Sequence, residues 1–145
     1  MIKFEQISRS FIGDEVETVA IDKMNLTINK GEFLSILGPS GCGKSTLLNV
    51  LGMLDSIDTG KFNFLENPVD KYSEHQRARL RKQHIGFIFQ NFNLLDELTV
   101  EQNIELPLYY HNVAKVERKR LVDAVLRRVD ISHRRKHLPA KLSGG

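Results

Sequence analysis

A glycine-rich stretch at residues 38–46 constrains this chain more than any other feature. Its sequence, GPSGCGKST, fits the pattern G-x-x-x-x-G-K-[ST] of a phosphate-binding loop, or P-loop. The apolar run 33–37 before it predicts a buried strand, and the apolar run 45–51 after it predicts a helix that ends at Gly52. A strand, this loop and a helix in that order predict an α/β fold that binds a nucleoside triphosphate.

The residue types of the loop suit a concentrated anion. Its glycines are expected to allow positive φ and close backbone approach, so that successive N–H groups point inward at the phosphates. The helix that begins near Lys44 adds the positive end of its dipole. Lys44 is expected to reach the β- and γ-phosphates, Ser45 to place its hydroxyl on Mg²⁺, and Thr46 to support the α-phosphate side. The candidate nucleotide-binding residues of the loop are Gly38, Ser40, Gly41, Cys42, Gly43, Lys44, Ser45 and Thr46.

Composition places the chain among soluble globular proteins. It has 145 residues, of which 41% are hydrophobic and 27% are charged, and no apolar run is long enough to span a bilayer. The N-terminus lacks the apolar core of a signal peptide, so a cytoplasmic location is expected. Cys42 is the only cysteine, which excludes an internal disulfide.

The net charge of +3 comes from clusters of arginine and lysine on predicted helices. Such clusters could indicate a nucleic acid or an anionic surface as partner. They are interleaved with acidic residues such as Glu117, Asp123 and Asp130, which is typical of solvated helix faces. No nucleic-acid partner is therefore expected.

The rest of the chain predicts β structure first and helices later. Residues 1–37 and 60–64 alternate as strands, and the continuous apolar run 85–89 predicts a strand covered on both faces. Capping boxes at Ser73 and Thr99 open two helices, and Pro107 is expected to stop or kink the second.

An amphipathic pattern over 115–129 predicts a further helix. We therefore place a boundary near residue 90. Residues 1–90 are expected to form a mixed α/β core that carries the P-loop, and residues 91–145 are expected to form a helical subdomain.

Two further short motifs narrow the class of P-loop protein. Gln90 follows the apolar run 85–89, where a side-chain amide can coordinate Mg²⁺ or position water, and Leu142-Ser143-Gly144-Gly145 ends the sequence. With the P-loop and in this order, these motifs resemble those of the ATP-binding cassette (ABC) ATPases. They correspond to the Walker A loop, the Q-loop glutamine and the start of the LSGGQ signature.

The resemblance covers the whole chain and implies a fold. That fold is a P-loop NTPase core, made of a RecA-like part and an antiparallel β-subdomain, with a helical subdomain. Phe11 falls where members of the family usually carry a tyrosine that stacks on adenine, and it keeps the aromatic face without the hydroxyl. The stretches 90–95 and 101–108 look closest to the branch of lipoprotein-releasing and macrolide-exporting cassettes, whose permeases work by mechanotransmission.

The resemblance also implies partners and roles. Lys44, Gln90 and Ser143 would be the catalytic residues, with Ser45 and Gln90 as ligands of Mg²⁺. Ser143, Gly144 and Gly145 would cap the γ-phosphate bound by a second ATP-binding subunit in a head-to-tail dimer. Gln90 would link the nucleotide site to a membrane permease, so that the protein would lie on the inner face of the cell membrane.

The sequence ends before the Walker B aspartate, its neighbouring glutamate and the switch histidine of the family pattern. We therefore expect a core truncated before Walker B, part of a longer protein, that binds ATP but turns it over slowly or not at all. The strands that would pair beside the P-loop strand are missing as well. Exposed edges are expected, and with them self-association, strand exchange or a disordered portion.

Other classes of P-loop protein stay open at this point. A soluble ABC protein of repair or translation would need no permease. If the chain were a P-loop kinase or GTPase, the match of residues 142–145 to the signature motif would be a coincidence. A nucleotide-binding piece without turnover is a further alternative.

Overall fold

A computed structural model of the chain describes residues 1–13, 16–89 and 93–142. By its internal contacts the chain divides into two units, Met1–Phe87 and Ile88–Gly145. Each unit has a core of its own. Among the described residues, no helix combines the length and apolarity needed to cross a membrane.

The first unit contains a four-stranded antiparallel sheet. Its strands are β1 (Ile2–Ile12), β2 (Glu17–Ile28), β3 (Thr59–Phe64) and β4 (Asn67–Pro68), in the spatial order β2-β1-β3-β4. The antiparallel β part expected from the sequence is therefore confirmed.

Alternation of apolar residues gives this sheet one buried face. Phe4 on β1 lies opposite Phe62 on β3, and their rings meet edge to face with centroids 4.7 Å apart. Ile7 and Phe64 are buried on the same core. Aromatic pairs of this geometry add to the stabilisation from area burial, which fixes the register of β1 on β3.

Two α-helices and a short 3₁₀ turn at Val69–Lys71 lie in the described part of the first unit. Helix α1 (Lys44–Leu51) buries Leu47, Val50 and Leu51 in the core beneath the sheet, and Gly52 ends it. Helix α2 (Glu74–His84) begins at a capping box in which Ser73 and Gln76 bond reciprocally. Both helices confirm the sequence prediction, and α1 is the element that holds the P-loop.

The runs 33–37 and 85–89 do not form strands, so these two predictions are wrong. Phe33 and Leu37 are 95% and 89% exposed, and Ile88 is fully exposed. A parallel strand buried on both faces needs neighbours on its edges and layers above and below. Within the described residues no strand pairs with either run. Phe33, Leu37 and Ile88 are therefore exposed, while Ile36 and Ile85 pack partly against the core of the first unit.

The second unit is helical. Helix α3 (Val100–Tyr110) begins at the capping box of Thr99 and Gln102, and α4 (Lys115–Arg128) packs on it through Val100, Val122 and Leu126. The amphipathic prediction for α4 is confirmed. Short 3₁₀ turns follow at Ser132–Arg134 and Pro139–Lys141.

Pro107 lies inside α3 and does not stop it. The helix continues to Tyr110, and the N–H of His111 donates to the carbonyl of Pro107 at 3.0 Å. A proline removes one donor from the helix ladder. The backbone bond made by the proline's own carbonyl closes the last turn despite that loss.

Candidate nucleotide-binding site

The P-loop leads into the N-terminus of α1. Gly43 caps the helix with φ 87°, and Gly41 has φ 81°, both in the left-handed region that favours glycine. No side chain caps the first turn, and that turn holds no acidic residue. The N–H groups and the positive end of the helix dipole are therefore available to an anion.

Gly43 also has to be glycine because of its neighbour. A Cβ at this position would lie 2.3 Å from the carbonyl oxygen of Ala20, the close approach that sets the loop against β2. Gly38 differs from the prediction, since it is not among the glycines with positive φ. A Cβ there would lie 2.6 Å from Cys42 Sγ, so the exposed Cys42 side chain would have to move.

The ammonium group of Lys44 is held within the loop. Its Nζ donates to the carbonyl oxygens of Gly38 at 2.8 Å and Pro39 at 2.6 Å, and it lies 3.6 Å from Cys42 Sγ. These contacts place the positive charge among the residues predicted to surround the phosphates. Charge-assisted contacts of this kind hold a lysine in place until a stronger acceptor replaces them.

The hydroxyls of the loop occupy different environments. Ser40 and Ser45 are exposed, and Thr46 is half-buried on α1. No group of three His, Cys, Asp or Glu side chains that could hold a metal occurs in the described ranges. The exposed hydroxyl of Ser45 is a group able to bind a magnesium ion that keeps several waters and is held mainly by phosphates, and its role as a ligand remains a prediction.

Phe11 lies near the end of β1, opposite Thr18 of β2. Two residues further along β2, Ala20 contacts Gly43, so the same strand pair carries Phe11 and borders the P-loop. The Phe11 ring is 42% exposed. An exposed aromatic side chain on a strand that borders the loop can stack on a base.

Arg9 is a residue of this site that the sequence interpretation missed. Its guanidinium carbon lies 4.8 Å from the centroid of the Phe11 ring. Its Nη1 donates to Asp58 at 2.7 Å, and its Nη2 donates to Asp55 at 2.8 Å. The spacing of Arg9 and Phe11 by two residues on one strand could have indicated a shared face. The two aspartates, distant in sequence, left no such signal.

Asp58 accepts more hydrogen bonds than Asp55 from the same strand. The N–H and the hydroxyl of Ser10 donate to its carboxylate at 2.6 and 3.2 Å, and its own N–H donates to the carbonyl of Ser8 at 2.9 Å. The backbone bond from Ser10, followed by the Arg9 contacts, lowers the pKa of Asp58 despite partial burial. The loop after α1 is thereby fastened to β1.

Four predicted site residues lie outside the described residues. They are Gln90, Ser143, Gly144 and Gly145. Their roles as magnesium ligand and as γ-phosphate cap remain predictions. The structure thus brings together, within the first unit, the loop from Gly38 to Thr46 and the strand pair that carries Phe11.

Comparison with known sequences gives the family. A sequence model of the ABC transporter family matches residues 21–145. The chain is 41% identical over its full length to an uncharacterized ABC transporter ATP-binding protein, YvrO of Bacillus subtilis, and covers 63% of it. It is 39% identical over its full length to the macrolide export ATP-binding/permease protein MacB of Azoarcus sp. and covers 22% of that larger protein.

Solved structures agree with this result. The dimeric, ADP- and Pi-bound post-hydrolysis form of the ATP-binding cassette MJ0796 superimposes with a TM-score of 0.90 at 33% identity. The match covers 99% of this chain and 64% of MJ0796. The chain therefore spans somewhat less than two thirds of the single-cassette relatives it matches.

Family, fold and loop geometry agree with one another. The mixed helix and sheet architecture is that of ABC cassettes, and the loop has the conformation that the motif predicts at Gly41 and Gly43. ATP with Mg²⁺ is the usual ligand of such cassettes. This chain belongs to the ABC transporter family, as part of an ATP-binding cassette.

Proposed function

We propose that the chain is the nucleotide-binding part of a cassette that binds and hydrolyses ATP to drive a membrane transporter. The observation that carries the proposal is the P-loop at the N-terminus of α1, with the ammonium of Lys44 held inside it at 2.8 Å from Gly38 O and 2.6 Å from Pro39 O. Because the chain covers 63–65% of its single-cassette relatives, hydrolysis and transport are proposed for the whole protein.

Each part of the loop has a defined task in this proposal. The uncapped N–H groups of α1 and the loop bind the phosphate oxygens. Lys44 exchanges its two carbonyl contacts for phosphate oxygens, and Ser45 holds Mg²⁺, which neutralises charge on the phosphates when bound. Phe11 stacks on the adenine base.

The remaining roles belong to the assembled transporter. Ser143, Gly144 and Gly145 cap the γ-phosphate bound by a second ATP-binding subunit in a head-to-tail dimer. Gln90 completes the magnesium site and links it to a membrane permease, which places the protein at the inner face of the cell membrane. Support comes from the relatives, because MacB is named a macrolide export protein and MJ0796 is described as dimeric. Export is therefore the proposed direction of transport.

The replacement Lys44→Ala tests this function. Because it removes the charge inside the loop, we expect affinity for Mg-ATP to fall about tenfold or more, measured by isothermal titration calorimetry. ATP hydrolysis by the whole protein should be lost with it. The matched control is Lys30→Ala, which removes an exposed lysine of the turn after β2 and should leave affinity unchanged.

Two results would contradict the proposal. One is unaltered ATP binding in Lys44→Ala, since the loop would then not be the site. The other is an equal loss of ATP affinity in Lys30→Ala, because the effect of Lys44→Ala would then follow from the change in net charge alone.

A further inference from the structure

The side chain of Arg9 is fixed from both sides. Two carboxylates, from Asp58 and Asp55, accept from its two terminal nitrogens at 2.7 and 2.8 Å. Its Nε is buried and has no hydrogen-bond partner in the part of the chain that the structure describes. The guanidinium plane is thus set by the two carboxylates and by the Phe11 ring beneath it.

The two carboxylates belong to the loop that follows the P-loop helix. The N–H groups of Leu54 and Asp55 both donate to the carbonyl of Asn49 on α1, at 2.8 and 3.2 Å. Asp58 is bonded in turn to Ser8 and Ser10 of β1. Hydrogen bonds therefore connect the helix that starts at Lys44, through both aspartates, to Arg9, and a cation–π contact connects Arg9 to the ring of Phe11.

A guanidinium on one face of an aromatic ring leaves the other face for a ligand. Phe11 has no hydroxyl with which to anchor itself, and its ring is 42% exposed. An aromatic ring of this exposure is free to change rotamer unless a neighbour restrains it. Arg9, on the same strand as Phe11, supplies that restraint, and its two carboxylate partners belong to the loop after the P-loop helix.

We propose that Arg9 is a positioning residue for the adenine base, holding the Phe11 ring at a fixed place relative to the P-loop through its bonds to Asp55 and Asp58. The inference rests on the proposed function, since it assigns Phe11 to base stacking. It predicts that Arg9 affects binding of the base and leaves binding of the phosphates unchanged.

The test compares two ligands on the same chain, Mg-ATP and inorganic tripolyphosphate with Mg²⁺. In Arg9→Met we expect ATP affinity to fall about three- to tenfold, while tripolyphosphate affinity stays at the wild-type value. Arg9→Lys should behave like Arg9→Met, because lysine keeps the charge but cannot stack and bond both carboxylates. Arg9→Lys also retains an ion pair with a carboxylate. It therefore provides a folded variant for the test if Arg9→Met is unstable.

A double-mutant cycle separates positioning from local stability. Phe11→Leu alone should weaken ATP about fivefold or more, since it removes the stacking ring. Adding Arg9→Met to Phe11→Leu should cause no further loss, because no ring is left to position.

Three results would overturn the inference: an equal loss of tripolyphosphate binding, a further loss in the Phe11→Leu background, or unchanged ATP affinity in both Arg9 variants. If the wild-type chain binds neither ligand, the proposed function itself fails. If it binds both ligands equally and Phe11→Leu has no effect, base stacking by Phe11 fails.

Discussion

Strand β3 and the run 33–37 are both predicted as strands from their sequences, and only β3 forms one. In β3, Phe62 and Phe64 are 3% and 6% exposed, and the strand bonds to β1 on one edge and β4 on the other. In the run 33–37, Phe33 is 95% exposed and Leu37 is 89% exposed, without strand structure. The two segments lie in the same unit of the chain.

The difference shows that a strand is defined by its neighbours. A strand satisfies its N–H and C=O groups only through another strand, so an apolar run without a neighbour gains little from extension. A helix satisfies most of these groups internally. Helix α1 accordingly forms directly after the unpaired run and buries three of its residues.

The largest expected effect contrasts one phenylalanine from each segment. Phe62→Ala should lower the free energy of unfolding by about 3–5 kcal/mol, because it leaves a cavity beside Phe4 and removes their edge-to-face contact. Phe33→Ala should change it by about 0.5 kcal/mol or less, as for other exposed sites. Urea unfolding followed by circular dichroism measures both.

Comparable losses for the two variants would break the comparison. They would mean that Phe33 is buried in solution by a neighbour, such as a second copy of the chain. Concentration dependence of the unfolding midpoint would then identify association as the cause.

A smaller loss of stability is expected when a capped helix, α2, is compared with the unpaired run 33–37. Ser73→Ala removes the hydroxyl that caps α2 and should cost about 1 kcal/mol of stability, again read from urea unfolding. The matched replacement Ser35→Ala lies in the exposed run 33–37, and no change is expected there. A loss at Ser35 as large as that at Ser73 would contradict the assignment of 33–37 as an unpaired segment.

The smallest expected effect is a pH dependence of the free energy of unfolding that comes from Asp58, the residue before β3. Asp58 has a pKa below its usual 3.8 in the folded chain, mainly because the N–H of Ser10 donates to it. Its contribution is therefore complete above the unfolded value and is lost as the pH falls through the folded pKa. Asp58→Asn should make the unfolding midpoint less sensitive to acid in that range. Asp22→Asn, an exposed carboxylate of β2, is the control, and an equal flattening there would refute the role of Asp58.

Local features of the fold were predictable from the sequence. Several elements depend only on residues within a few positions of one another. They are the capping boxes at Ser73 and Thr99, the helix that begins at Lys44 and the amphipathic pattern of α4. The P-loop also belongs to this group, because its glycines and Lys44 act within one short segment. Gln90 and Ser143 were recognised by resemblance and lie outside the described residues.

Contacts between distant segments were not predictable in the same way. The association of Arg9 with Asp55 and Asp58 joins positions 46 and 49 residues apart. The approach of Ala20 to Gly43 likewise depends on the placement of β2 against the loop. No periodicity or motif spacing carries such information.

The sequence by itself determined that this chain has a P-loop motif that leads into a helix, capping boxes at Ser73 and Thr99 that open two more helices, and a helical second half. Hydrogen bonds and apolar contacts between near neighbours suffice to specify these elements. Only the tertiary structure decided which apolar runs become strands, and that Phe11 is held by Arg9 to the loop behind the P-loop helix. Both outcomes depend on partners far away in sequence, which chain folding brings into contact and local preference does not encode.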